Sequence, residues 1–409
     1  MSALAFSVLD SDAATAEAAR VAIVGGGIAG LAVAAALQRM APACRVSIFE
    51  REPAESRVEC AGLTLAPNGL DALEHLGVRS QVLAAGRRLN AFEVHAVGAR
   101  CARFEMSAVR AGCQYAVGIL PSRLRTILED CVRDSVQLRR GHDVISVARH
   151  RDGQHELLTR GPDGSMHVTR ADVIVGADGV RSVVRGFVTP ERAIHDMDEG
   201  FAIMLGRGLR TVDASRQYLD AVGVVGVVPV ATDRTFIFVQ YRRRELVQLR
   251  GASLEQFKAD IARRVPLAAP LLRDIADWSE VALVPTTVTH VRRWASGGVV
   301  LIGDAVHATT PSLAQGANSA IVDAVALAEA LAGWSETGKA GRPDPFLAEF
   351  VASRRPHAIK QYWLGRAMVR SSRHTDWPGQ AVKLAVLRAL AGNRRSHRLI
   401  SELLTGVYR

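Results

Sequence analysis

The sequence predicts an α/β fold in which a parallel sheet flanked by helices is interleaved with an antiparallel sheet. Three observations carry that expectation. The β-branched run Val21-Ala22-Ile23-Val24 ends in three consecutive glycines and leads into an apolar helical stretch. Two further apolar runs, residues 171–176 and 298–302, end at Gly176 and Gly303 with Asp178 and Asp304 close behind. Between Pro190 and Pro285 the texture changes to strand-like segments, residues 201–205, 216–230 and 234–241. The last two join around Ala231-Thr232-Asp233, and residues 89–104 are expected to add strands to the same sheet.

Composition sets the class. A chain of 409 residues exceeds one simple core and suggests two domains with interleaved segments. Apolar residues at 48% and 35 glycines fit a soluble α/β protein and exclude a disordered chain. The net charge is +10, but twelve basic residues and only two acids lie from Phe350 onward, so the body before it is neutral. That argues against a main body built as a nucleic-acid-binding surface. The five cysteines form no CxxC pair, which argues against a disulfide framework or zinc site and for a reducing, cytoplasmic compartment. Residues 1–19 carry Asp10, Asp12 and Glu17 without a basic start, and read as a loose extension rather than a secretory leader.

In chain order, residues 21–38 come first. They are uncharged, bounded by Arg20 and Arg39, and at the lower length limit for a membrane span. The glycines directly after a β-branched run argue instead for a buried strand, a tight turn and a helix over residues 28–38. Arg45-Val46-Ser47-Ile48-Phe49 forms a second strand that ends at Glu50, completing a βαβ unit. Within it, Gly25, Gly27 and Gly30 have dinucleotide-binding spacing. Gly25 permits the turn, Gly27 lets backbone approach a diphosphate, and Gly30 lets the helix pack closely on the strand. The helix start, with Ile28 and Ala29, offers free N–H groups to the diphosphate. Glu50 is placed to accept hydrogen bonds from a ribose, and its charge disfavours a 2′-phosphate there. No second such fingerprint follows a strand. Gly206-Arg207-Gly208 lacks the third glycine, so no separate nicotinamide-binding domain is expected.

The middle motif runs Gly176-Ala177-Asp178-Gly179, then Ser182 and Arg185. The late motif runs Gly303-Asp304-Ala305, His307, Pro311, then Gln315-Gly316 and Asn318. With the N-terminal fingerprint, and with residues 57–63 followed by Pro67-Asn68, the chain resembles the class A (single-component) FAD-dependent aromatic monooxygenases, the para-hydroxybenzoate hydroxylase-like family, over residues 20–360. The resemblance implies a Rossmann-type FAD-binding domain from residues 20–88, 105–190 and 286–350. It implies a substrate-binding antiparallel sheet from residues 89–104 and 191–285, and leaves residues 351–409 as a basic C-terminal helical region.

Roles follow position by position from the resemblance. Gly25, Gly27, Ile28, Ala29 and Gly30 would hold the FAD diphosphate, Glu50 the adenosine ribose, and Arg51 would lie near the adenine. Arg57, Ala61, Gly62 and Leu63 belong to a flavin-contacting loop. Asp178 would support the diphosphate and the nicotinamide cofactor, and Asp304 would meet the ribitol or diphosphate. Gly316, Ala317 and Asn318 would present backbone to the isoalloxazine ring, with Pro311 lining the pocket opposite. Because residues 316–318 open a helix, their N–H groups and dipole would stabilise the anionic pyrimidine edge of reduced flavin. NAD(P)H would bind transiently on the surface, and oxygen would reach an aromatic or heteroaromatic substrate through a flavin C4a-hydroperoxide. No side chain is assigned as catalyst, and His307 reads as structural.

Two positions depart from the pattern. Pro121 stands where relatives often carry an arginine, leaving Arg123 or Arg125 to replace it, and Ala314 replaces a common glycine. Some relatives acting on quinolone-type or secondary-metabolite substrates also carry a proline near position 121. Two alternatives stay open: an FAD-dependent reductase or dehydrogenase on the same fold, and a non-catalytic flavin-binding partner. The basic tail reads either as a helical cap with a solvated face or as a weak dock on an anionic membrane. The protein is expected to be a monomer or homodimer.

Overall fold

Strand β1 (Arg20–Val24), helix α1 (Ile28–Met40) and strand β2 (Arg45–Glu50) build the N-terminal unit. The computed structural model describes residues 7–8, 18–53, 59–96, 99–108, 113–150, 153–189, 193–208, 212–220, 222–337, 342–372 and 388–389. Arg57 and, in the expected C-terminal helical region, residues 373–387 and 390–409 lie outside the described residues. Residues 30–37 of α1 are all buried, which is why this stretch carries no charge. Among the described residues no helix is long and apolar enough to cross a membrane.

Strands β3 (Val173–Gly176) and β4 (Val299–Leu301) join β1 and β2 in one six-stranded sheet. Its order is Ala295–Ser296, β4, β3, β1, β2 and Gln137–Arg140, all parallel except the first. The register aligns their ends: Gly176 pairs with Val24 on one side and Leu301 on the other, and Val24 pairs with Phe49. Three motifs far apart in sequence therefore leave the sheet side by side at its carboxyl edge. Helix α2 (Gly316–Glu336) packs between α1 and helix α3 (Asp344–Ser372).

The second layer is a seven-stranded sheet ordered Val281–Thr289, Ile194–Arg207, Arg234–Tyr241, Val224–Pro229, Ala214–Leu219, Ala91–Ala96 and Ala99–Glu105. One face packs on helix Leu254–Arg264 through Met204, Val227, Ile237 and Phe257. The expected strands at residues 89–104 belong to this sheet. Strand Val281–Thr289 runs straight through Pro285, which is tolerated because this strand lies at the sheet edge.

Two readings need correction. Residues 216–230 are not one strand but a hairpin. The Asp220 carboxylate accepts hydrogen bonds from the N–H groups of Val222 and Gly223, at 2.8 and 2.9 Å, and turns the chain. Residues 171–176 are likewise split. Met166–Ala171 ends a separate four-stranded sheet, and Asp172, held by the Arg20 N–H at 2.8 Å, starts the chain toward β3.

Candidate active site at the carboxyl edge of the parallel sheet

The three glycines of the fingerprint have different surroundings. Gly25 has φ +104°, and a Cβ there would lie 2.4 Å from the Ala177 carbonyl oxygen. A Cβ on Gly30 would lie 1.9 Å from the Gly25 oxygen. At Gly27 nothing comes within 4 Å of the Cβ position, and the residue is exposed. Protein fills the space beside the outer glycines while the middle one faces open space, which leaves room for a diphosphate. The residues present thus fit FAD. Ile28 and Ala29 follow, half-buried, in the first turn of α1. At the end of β2 the Glu50 carboxylate accepts from the N–H groups of Gly26 (2.6 Å) and Glu52 (2.7 Å). Each oxygen has a second lone pair for a ribose hydroxyl. Arg51 beside it is exposed.

At the end of β3, one Asp178 oxygen accepts from the N–H groups of Val183 and Val184, at 2.7 and 3.2 Å. Burial pushes this carboxyl's pKa up. Arg185 bonds the carbonyls of Val180 (2.7 Å) and Ala305 (2.9 Å), so a buried guanidinium ties the middle motif to the late one. At the end of β4, Gly303 turns with φ +56° and Asp304 follows. Asp304 is exposed, and desolvation by the surrounding protein raises its carboxyl pKa. A Cβ on Gly316 would sit 3.9 Å from its Oδ1, so Asp304 faces the first turn of α2.

That first turn is held by a side chain the sequence reading assigned only a backbone role. Asn318 is fully buried. Its Oδ1 accepts from the Ala66 N–H (2.9 Å), and its Nδ2 donates to the carbonyls of Thr64 (2.9 Å) and Ala314 (2.8 Å). Segment 64–66 is thereby fastened to the loop before α2. Ala314 in that loop has φ +51°, the left-handed conformation that suits the glycine it replaces. Pro311 is exposed at the start of the same loop. Ala61, Gly62 and Leu63 are half-buried, and a Cβ on Gly62 would strike Phe236 Cβ at 2.5 Å. Segment 62–66 therefore spans from the seven-stranded sheet to the start of α2. Above it, on the sheet face away from helix Leu254–Arg264, stand Phe201, Phe236 and Phe238. Ring centroids are 6.0 Å apart for Phe201 and Phe238, and 5.6 Å for Phe236 and Phe238.

Arg123 is exposed in the first turn of helix Pro121–Val132. Pro121 occupies the first turn of that helix, where its missing N–H costs nothing. Glu59, which the sequence reading passed over, accepts from the Ser122 N–H (2.8 Å) and hydroxyl (2.7 Å) and caps the helix. Behind Asp304, His307 is buried against Asp323, which also receives Arg354.

A diphosphate cradle, a ribose-directed acid and a helix start beneath an aromatic sheet define a flavin-dependent enzyme of the α/β class. The chain belongs to the FAD-binding domain family, which matches residues 18–361. It is 30% identical to 3-amino-4-hydroxybenzoate 2-monooxygenase of Streptomyces cremeus, over 88% of this chain and 89% of that protein. It is also 30% identical to aurachin C monooxygenase/isomerase of Stigmatella aurantiaca, over 76% and 80% of the two chains. In fold it is similar to p-nitrophenol 4-monooxygenase of Pseudomonas putida, with a TM-score of 0.79 and 21% identity over 96% of this chain and 99% of that one. The protein is an FAD-dependent monooxygenase of this kind.

Proposed function

We propose that the protein hydroxylates an aromatic or heteroaromatic small molecule, consuming NAD(P)H and O2. The observation that carries this reading is the bridge of residues 62–66. It places the face bearing Phe201, Phe236 and Phe238 over the loop that holds Asp304 and opens α2. The aromatic compound in the name of the Streptomyces enzyme, 3-amino-4-hydroxybenzoate, supports the same class.

In this reading Gly25, Gly27, Ile28, Ala29 and Gly30 hold the FAD diphosphate, Glu50 the ribose and Arg51 the adenine side. Asp178 and Asp304 orient the middle of the cofactor. Ala61, Gly62 and Leu63 border the flavin, and Pro311 lines the substrate side. Arg123 takes the place of the arginine expected at position 121. When bound, FAD supplies the redox chemistry by which ring C–H, O2, NAD(P)H and a proton become ring C–OH, water and NAD(P)+. The first N–H groups of α2, at Gly316, Ala317 and Asn318, stabilise negative charge at the pyrimidine edge. The three phenylalanines hold a flat ring by stacking and keep water out.

The domain division given above, residence in the cytoplasm, a monomeric or homodimeric state and weak contact of residues 350–409 with anionic membranes belong to the same proposal. Co-sedimentation with anionic vesicles at low and high salt tests the last: no binding at low salt ends it. For the main reading, oxygen and NAD(P)H consumption are followed across an aromatic panel. A protein without yellow flavin, or NAD(P)H oxidation that no aromatic stimulates, sinks it. Substrate turnover without O2 uptake points to the reductase alternative.

A further inference from the structure

A cavity of about 780 Å³ lies between residues 292–295 and the first half of α3. Its walls carry three arginines, Arg292, Arg293 and Arg355, around an apolar floor that includes Trp294, Val351 and Ile359. Trp294 is buried and its indole N–H is fixed on the Val291 carbonyl at 3.1 Å. Arg292 and Arg293 are exposed, and neither forms an ion pair with a described residue. Arg355 Nε is buried without a hydrogen-bond partner among the described residues. The neighbouring Arg354 is different, being spent on Asp323. One acid lines the cavity, Asp344, and Arg342 lies 3.3 Å from its carboxylate.

The excess positive charge is felt nearby. Burial, then Arg355, His195 and Arg292, hold the His290 imidazole below its ordinary range. Three guanidiniums against one carboxylate around an apolar floor suit a ligand with anionic groups on a flat body. Guanidinium forks match phosphate oxygens in pairs, and the volume lies in the range of small-molecule sites. The Trp294 ring lies 5.3 Å from the His307 ring, which ends the short helix begun by Asp304. One layer of rings thus separates this cavity from the late motif. The fingerprint at Gly25 is the chain's one dinucleotide fingerprint, and FAD takes it.

We propose that this cavity docks the ADP-ribose half of NAD(P)H, with its phosphates on Arg292, Arg293 and Arg355 and its adenine against Val351 and Ile359. The assignment rests on the NAD(P)H-consuming reading above. Two of the arginines are in water, so the site binds weakly and reversibly, as a co-substrate that must depart requires.

The test is anaerobic reduction of the FAD-loaded enzyme at increasing concentrations of NADPH and of NADH. For the nucleotide that reduces wild type, Arg292→Glu/Arg293→Glu is expected to raise the half-saturating concentration by about tenfold or more, as loss of charge-assisted bonds does. The limiting reduction rate, FAD content and Tm stay near wild type. Arg355→Gln raises half-saturation as well, and ADP-ribose competes with the nucleotide in wild type but not in the double variant. An unchanged half-saturation in both variants overturns the site while leaving the function intact. A wild-type flavin that neither nucleotide reduces overturns the NAD(P)H reading and the site together.

Discussion

His307 and Asp323 form a buried ion pair directly behind the Asp304 loop. Asp323 Oδ2 meets the imidazole Nε2, and its other oxygen receives Arg354 at 2.8 Å. Burial alone would push the imidazole's pKa down, but Asp323 overrides it and holds the value above the ordinary range. Burial opposes ionisation of Asp323 too, yet His307 and Arg354 bring its pKa down to about 2.

The His307 value is raised in the folded state, so its contribution is complete below the unfolded pKa of about 6.5 and is lost as pH rises through the folded value. The Tm gap between wild type and His307→Gln is therefore expected to be widest in mild acid and to close at alkaline pH. A gap independent of pH would contradict the pairing. Asp323→Asn leaves Arg354 and His307 buried without their acid, at a cost of about 3–5 kcal/mol by denaturant unfolding.

Asn318→Ala removes three hydrogen bonds and leaves the buried Ala66 N–H and Thr64 carbonyl unpaired. A loss of about 2–4 kcal/mol is expected. Because segment 64–66 then parts from the start of α2, FAD retention on gel filtration should fall as well. Full retention with lowered stability would show that the fastening serves the fold alone.

Ala314→Gly relieves left-handed strain worth roughly 1–2 kcal/mol, against about 0.4–1 kcal/mol of added chain entropy in the unfolded state. Stability should stay level or rise by up to about 1.6 kcal/mol, whereas the β-branched Ala314→Val should lose more than about 1 kcal/mol. Equal stabilities for both variants would mean that the loop does not hold this conformation.

Asp304 is expected to serve flavin binding. It is exposed and faces the first turn of α2. Asp304→Asn should weaken FAD binding with little change in apoprotein Tm, and Asp304→Lys should abolish flavin retention. Full FAD retention by Asp304→Lys would reverse the assignment.

Much of the site was legible because its signals are local. The β1–α1–β2 unit spans about thirty residues, and the spacing of Gly25, Gly27, Gly30 and Glu50 follows from one turn, one helix and one strand. The late motif announced a strand end and a helix start in the same way. The Asp220 turn was missed because the apolar run after it reads as a continuation of the strand. The Arg354–Asp323–His307 cluster was missed because its members sit on three different helices, with 31 and 16 residues between partners.

Local spacing thus pointed to the class of cofactor and to the loops proposed to meet it. It did not place those loops together. Strands β1, β3 and β4 are buried on both faces and carry no polar alternation, so nothing in their residues records strand order or register. Hydrogen bonding between segments far apart in the chain set Gly176 between Val24 and Leu301. That pairing brought Asp178 and Asp304 to the cradle at Gly27. Packing of α3 against the strand edge likewise gathered Arg292, Arg293 and Arg355, which no sequence period connects.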